Sequence, residues 1–172
     1  MAGPQPPLVT AFTHHFLTGG NFGTITAARN HAADILAETV SPGTALAKQV
    51  DEAIEASLVR AARTSVQASS TTQEAYDRLV DLHDRQPALN VRSSTSVLQQ
   101  AYSTPIPIAY LASTLAGITP ETTVYEPTAG HGALLLATEP TRVTVNELNP
   151  ERAADLRSPG YQVTQHNAVT YQ

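Results

Sequence analysis

The sequence has no cysteine, so disulfides and thiolate-bound zinc are excluded. It has little charge, 15% Asp, Glu, Lys and Arg together, and no excess of positive charge, the formal net being -5 at pH 7. A generally basic surface is therefore absent, and any nucleic acid would have to be met by a local patch or by another part of an assembly. No basic segment followed by an apolar run marks the N-terminus as a signal peptide. No apolar stretch is long enough to span a bilayer, so a cytoplasmic protein without membrane contact is expected. Internal repeats and low-complexity tracts are also missing. What remains is a 172-residue chain of ordinary apolar content, 41%. That is the profile of a globular protein, long enough for one full domain or for a small domain and part of another.

The chain changes texture near its middle. Residues 1–90 read as a helical domain. LVTAFTHHFL is a short apolar-faced segment ended by Gly19 and Gly20. TITAARNHAADILAETV carries apolar residues at Ile25, Ala28, Ala32, Ile35 and Leu36, a helical period, and Ser41-Pro42-Gly43 breaks it. ALAKQVDEAIEASLVRAARTSV gives the clearest helix, with Val50, Ile54, Leu58 and Ala61 in one stripe, widened by Val59 and Ala62. Glu52, Glu55, Arg60 and Arg63 flank that stripe. Thr71 with Glu74 fits a capping box opening TQEAYDRLVDLH. QPALNVRSSTS, 86–96, has no pattern and reads as the linker, so a second domain is expected over 91–172.

In the second domain, Thr104 is placed to cap a helix with Pro105 in its first turn, and Ile108, Leu111 and Leu115 give that helix an apolar face ended by Gly117. Next, TTVYEP reads as a strand, GALLLA as the start of a helix, and RVTVNE as a second strand. PERAADLR reads as a helix capped by Asn149 with Pro150 at its first position, and YQVTQHNA as a third strand. Alternating strands and helices imply an α/β fold with a parallel sheet.

Ligands of such sheets sit beyond the carboxyl ends of the strands, where the turn EPTAGHG, Glu126 to Gly132, falls. Gly130 and Gly132 permit backbone conformations and close approaches that a Cβ would block. Glu147, at the end of the second strand, can accept hydrogen bonds from both hydroxyls of a ribose. The combination describes a nucleoside site. A dinucleotide site would carry G-x-G-x-x-G, but here the last of those positions is Leu135. Glu126 would repel a pyrophosphate and welcome a cationic ammonium, which favours S-adenosylmethionine over a dinucleotide.

EPTAGHGALL resembles the first cofactor motif of class I S-adenosylmethionine-dependent methyltransferases, in the form used by N6-adenine DNA methyltransferases. NEL, Asn146 to Leu148, resembles their second motif. AYSTPIPIAYLA resembles the F-T-P helix entry of enzymes in which the cofactor region comes first. The resemblance covers about residues 97 to 172 and implies a partial Rossmann-like domain. It implies cofactor contacts from Thr104 and Pro105 to the methionine carboxylate, and from Glu126, Pro127, Thr128, Ala129, Gly130 and Gly132 in the turn. Glu147 would serve the ribose, Leu148 beside it in the second motif is a further cofactor contact, and Asn167 and Ala168 of the HNA stretch would serve the adenine ring. The helical region, through KQVDEAIEASLVRAAR and QPALNVRSSTSVLQQAYSTP, also resembles the N-terminal region of bacterial and phage methylase–helicase proteins of the strawberry-notch-like type. That second resemblance implies a setting in DNA modification and phage defence.

The (Asn/Asp/Ser)-Pro-Pro-(Tyr/Phe) signature by which N6-adenine methyltransferases hold a flipped base is absent. Asn149-Pro150 lacks the second proline and the aromatic. No catalytic residue is therefore assigned. The expectation is a cofactor-binding half whose catalytic half lies in a longer polypeptide or a partner subunit, with DNA a possible partner. The alternative is a non-catalytic scaffold that docks a helicase or a partner subunit; a nucleotide- or NAD-binding domain is a third reading. His14-His15 point to different helix faces and read as surface or core histidines rather than metal ligands. His131 reads as a tolerated turn residue with no catalytic role. Arg60, Arg63, Arg78, Arg85 and Arg92 could form a DNA-facing patch. However, residues 1–100 hold seven Lys/Arg and nine Asp/Glu, which favours a mixed, solvated surface. Tyr102 and Tyr110 read as packing residues.

Overall fold

The structure is a computed structural model that describes residues 6–87 and 103–170. Most of the predicted linker, with Arg92, Ala101 and Tyr102, lies outside the described residues. Four helices come first: α1 (Pro6–Leu17), α2 (Ile25–Leu36), α3 (Ala45–Gln67) and α4 (Thr72–Asp84). Then follow α5 (Ile106–Leu115), β1 (Val124–Glu126), two 3-10 turns (Ala133–Leu135 and Pro140–Arg142), β2 (Val143–Asn146), α6 (Pro150–Arg157) and β3 (Gln162–Thr164).

Threonine hydroxyls start three of the helices. Thr24, Thr44 and Thr71 accept from the N–H groups of Ala27, Ala47 and Glu74, satisfying donors that have no intrahelical partner. At α4 the box closes one residue early, because Glu74 accepts from the Ser70 N–H at 2.8 Å. Helix α2 stops before the Ser41-Pro42-Gly43 break, at Ala37, whose φ of 52° turns the chain into the left-handed region. The stripe of α3 is buried as its period requires: Val50, Ile54, Leu58, Ala61 and Ala62 join Leu8, Phe12 and Phe16 of α1 and Leu79 and Leu82 of α4 in one core.

That core also takes in Ile106, Tyr110 and Leu136. Here α5 departs from the sequence reading. Its buried face is Ile106, Ala109, Tyr110 and Ser113, whereas Ile108, Leu111 and Leu115 are 58%, 46% and 80% exposed. The helix IPIAYLASTL is apolar on more than one side, so periodicity alone could not choose the face. Thr104 is not its cap. Pro105 occupies that position without a side-chain hydrogen bond, and the Ala109 N–H closes the first turn on the Pro105 carbonyl at 2.9 Å. Gly117 ends the helix as expected, at φ 70°.

The three strands pair in parallel in the order β1-β2-β3. In register, Val124 lies beside Val143, and Glu126, Val145 and Val163 lie side by side. Val143 and Val145 are buried with Leu135, Leu156 and Tyr161 in a second, smaller core. The alternate residues Tyr125, Thr144 and Gln162 share the opposite, more open face. No α-helix follows β1. GALLLA forms only the 3-10 turn Ala133–Leu135. The Leu135 carbonyl accepts from the Thr138 N–H and hydroxyl, which closes the chain into a tight turn, and the guanidinium of Arg63 donates to the carbonyls of Leu135 and Thr138. Pro140 then opens the second 3-10 turn. No helix among the described residues is long and apolar enough to cross a membrane.

Candidate functional site

The glycine turn leaves β1 at its carboxyl end. Gly130 and Gly132 take φ of 57° and 87°, the region that side chains disfavour. A Cβ at Gly130 would meet nothing within 4 Å, whereas one at Gly132 would touch Leu156 at 3.4 Å. The need for glycine at Gly130 is therefore conformational. Glu126 begins the turn by accepting from the Thr128 N–H at 3.0 Å and the Thr128 hydroxyl at 3.2 Å.

Glu147 follows β2 and holds this turn against the next one. One carboxylate oxygen accepts from the Gly130 N–H at 2.8 Å, and the other accepts from the Asn149 N–H at 2.8 Å. Each oxygen keeps a second lone pair. The acid is thus oriented by two backbone donors while retaining capacity for hydroxyl donors. Asn149 in turn caps α6, accepting from Glu151 and Arg152, as the sequence predicts.

Asn146, which sequence reasoning passed over except as part of NEL, ties the strand ends together. Its amide donates to the carbonyls of Pro127 (3.0 Å) and His166 (2.9 Å). Its oxygen accepts from the Thr164 hydroxyl and the His166 N–H, both at 2.9 Å. All the capacity of one buried amide is used to join the chain beyond β1 to the chain beyond β3. Around it opens a groove of about 550 Å³ lined by Tyr125, Pro127, Asn146, Thr164, His166 and Ala168.

Of the residues expected at the site, Pro127 and Ala168 line this groove, and Ala129, Gly130, Gly132 and Glu147 form the turn and clamp beside it. Leu148 is 53% exposed. Asn167 is exposed and accepts from the Val169 N–H at 3.0 Å, which fixes a local turn. Thr104 and Pro105 stand at the entry to α5 and are absent from the groove lining.

Behind the turn lies a network that the sequence reading missed. His131 is buried, its side chain 2% exposed. Its Nε2 faces Glu52 at 3.0 Å and its Nδ1 faces Asp155 at 3.2 Å. Ionised carboxylates only accept, so both ring nitrogens must carry protons. Burial alone would depress the imidazole, but the hydrogen bonds it donates to Asp155 and Glu52 outweigh it and raise the pKa to about 9. Glu52 would be raised by its own burial, yet His131 and Arg152 bring it down to about 2. Arg152 donates to Glu52 at 2.8 and 3.1 Å and lies 3.7 Å from Glu55. Arg60 meets Asp155 at 2.6 Å. Three carboxylates therefore face three cations across the seam between the helical layer and the sheet.

His131 is thus an anchor, correcting its reading as a tolerated turn residue. Arg60 and Arg63 belong to the seam as well, correcting their reading as part of a solvated surface. Arg63 donates to Leu135 and Thr138 carbonyls and to the Tyr161 hydroxyl. Arg85 is likewise used internally, donating to the carbonyls of Phe16 and Gly20 at 2.8 and 3.1 Å. The available signal was the spacing of Glu52, Glu55, Arg60 and Arg63, which puts all four on one side of α3. Flanking charges on an amphipathic helix ordinarily face water, which hid it. His15 packs on Phe22 with ring centroids 4.3 Å apart. Among the described residues, no group of three or more His, Asp or Glu side chains could hold a metal ion. The chain matches no family model, no curated protein and no solved structure.

Proposed function

We propose that the carboxyl end of the sheet binds S-adenosylmethionine, as the cofactor-binding portion of a DNA adenine N6-methyltransferase-like protein. The observation that carries this reading is the Glu147 carboxylate, held by the Gly130 and Asn149 N–H groups beside the groove at the strand ends. A fixed acceptor at the end of β2 suits the two hydroxyls of a ribose. Glu126, at the start of the turn, supplies negative charge for an ammonium group. Pro127 and Ala168 give the groove apolar surface for a base, and Leu148 and Asn167 are proposed as further cofactor contacts, with Thr104 and Pro105 as the methionine-carboxylate contacts. When bound, S-adenosylmethionine would bring an electrophilic methyl group. No residue of this sequence is assigned to the transfer itself, because the Pro-Pro-aromatic signature is absent. That step falls to the remainder of a longer polypeptide or to a partner subunit, with DNA as the substrate, in a modification or phage-defence setting.

One observation favours a second reading. Both oxygens of Glu147 already bond the turn backbone, so the acid has a structural use without any ligand. On that reading the domain is a scaffold that docks a helicase or a partner subunit. Calorimetric titration of S-adenosylmethionine into the full chain separates the two. Binding that Ala168→Trp blocks by filling the groove, and that Glu147→Gln weakens, supports the cofactor reading. A folded chain that binds neither S-adenosylmethionine nor its demethylated product supports the scaffold.

A further inference from the structure

The turn that carries the proposed site is pinned from two sides. Gly130 is held from the sheet by Glu147 at 2.8 Å. The next residue, His131, is held from the helical layer by Glu52 of α3 and from behind by Asp155 of α6. Between two glycines of positive φ, the backbone has no intrinsic preference that would fix its path. The His131 ring is the large buried side chain inside this turn, so its partners decide where the turn sits. One oxygen of Glu52 serves both His131 Nε2 and Arg152 Nε, at 3.0 and 2.8 Å, and its other oxygen takes Arg152 Nη2. A single α3 carboxylate therefore holds the turn and α6 together.

We propose that Glu52 is a positioning residue for the glycine turn, acting through His131, so that the helical layer sets the affinity of the nucleoside site. The ligand half of this statement rests on the cofactor reading above; the geometric half does not. The groups facing His131 are Glu52 and, beyond it, Glu55 and Arg60 on α3, and Arg152 and Asp155 on α6, with Glu147 acting on Arg152 from the turn after β2. Three cations balance Glu52, Glu55 and Asp155. Neutralising either His131 or Glu52 leaves charge unbalanced in a buried seam.

The test uses the full chain without ligand first. Glu52→Gln keeps the size of the side chain but removes its charge. Asp51→Asn, which breaks the Arg29–Asp51 pair at 2.9 Å on the neighbouring position, is the control. In NMR, Glu52→Gln is expected to bring the His131 titration down by about one pH unit or more and to speed amide exchange at Gly130 roughly tenfold. Asp51→Asn is expected to leave Gly130 exchange unaltered relative to its own global stability. In the wild-type chain, the Gly130 and Gly132 Cα shifts are expected to follow the His131 midpoint, which keeps the test available if Glu52→Gln does not fold. S-adenosylmethionine affinity near neutral pH is then expected to fall about fivefold or more in Glu52→Gln. Gly130 exchange that ignores Glu52→Gln, equal acceleration by both variants, or glycine shifts that do not follow His131 would each overturn the proposal. If Gly130 responds to Glu52→Gln but the wild-type chain binds no S-adenosylmethionine, the cofactor reading fails and the positioning role stands.

Discussion

Glu52 and Arg152 are 100 residues apart in the chain and meet through two hydrogen bonds of 2.8 and 3.1 Å. Their pairing joins the helical layer to the sheet, and His131 extends it into the glycine turn. The seam is polar where most layer contacts are apolar, with one hydrophobic core on each side.

The first prediction concerns pH. His131 has a folded pKa of about 9, above its ordinary 6.5, so its contribution is complete below about pH 6.5 and is lost as pH rises through about 9. Glu52 has a folded pKa of about 2, below its ordinary 4.5, so its contribution is complete above about pH 4.5 and is lost as pH falls through about 2. Asp155 is lowered too and acts in the same direction as Glu52. Stability should therefore plateau between about pH 4.5 and 6.5 as far as this network is concerned. The alkaline loss is on the order of 3 kcal/mol, shared between the imidazole and its carboxylates rather than added for each. Thermal melts across this range check it, and a His131→Gln chain with an unchanged alkaline limb would refute it.

Arg63 should matter more than its place on a helix flank implies. Its guanidinium supplies donors to two carbonyls and the Tyr161 hydroxyl, with its carbon 5.5 Å from the Tyr161 ring centre. Arg63→Met should cost about 1–3 kcal/mol by leaving the Thr138 carbonyl and the Tyr161 hydroxyl without this donor, while the Leu135 carbonyl keeps the Thr138 N–H and hydroxyl. Arg63→Lys should restore little, because an ammonium cannot reproduce the planar fork. Denaturant unfolding of the three chains measures this; a neutral Arg63→Met would refute it.

Asn146 should be intolerant of an isosteric change. Asn146→Asp places a carboxylate oxygen against the carbonyls of Pro127 and His166, where the amide donated. A loss of about 2–4 kcal/mol is expected, together with broadened NMR signals from the chain after β3. A well-folded Asn146→Asp protein with unaltered signals would show that the strand ends are held by something else.

On α5, exposure and apolarity point in opposite directions. Leu115→Lys, at a position 80% exposed, should change stability by no more than about 0.5 kcal/mol. Tyr110→Ala, at a position 7% exposed in the helical core, should cost about 2–4 kcal/mol. The reverse order in denaturant unfolding would restore the face predicted from Ile108, Leu111 and Leu115.

Local rules determined much of this protein. Threonine caps and the Val50–Ile54–Leu58 stripe set the helices, because a cap bond and a helical period are properties of neighbouring residues. Asn149-Pro150 set the start of α6, and the apolar runs at Val124 and Val143 set two parallel strands. The glycine turn and Glu147 were visible as well, and they do lie together.

Only the tertiary structure decided which face of α5 is buried, why no helix follows β1, and what His131 does. An all-round apolar helix gains by burying either side, so its neighbours choose. The segment GALLLA has helical preference, but Thr138 closes a tight turn on the Leu135 carbonyl, and Arg63 of a distant helix holds that turn through the carbonyls of Leu135 and Thr138. His131, Glu52, Arg152 and Asp155 look like ordinary surface charges one at a time. Their energies arise from pairing across up to 100 residues of chain, in a low-dielectric seam that exists only once the two layers have met.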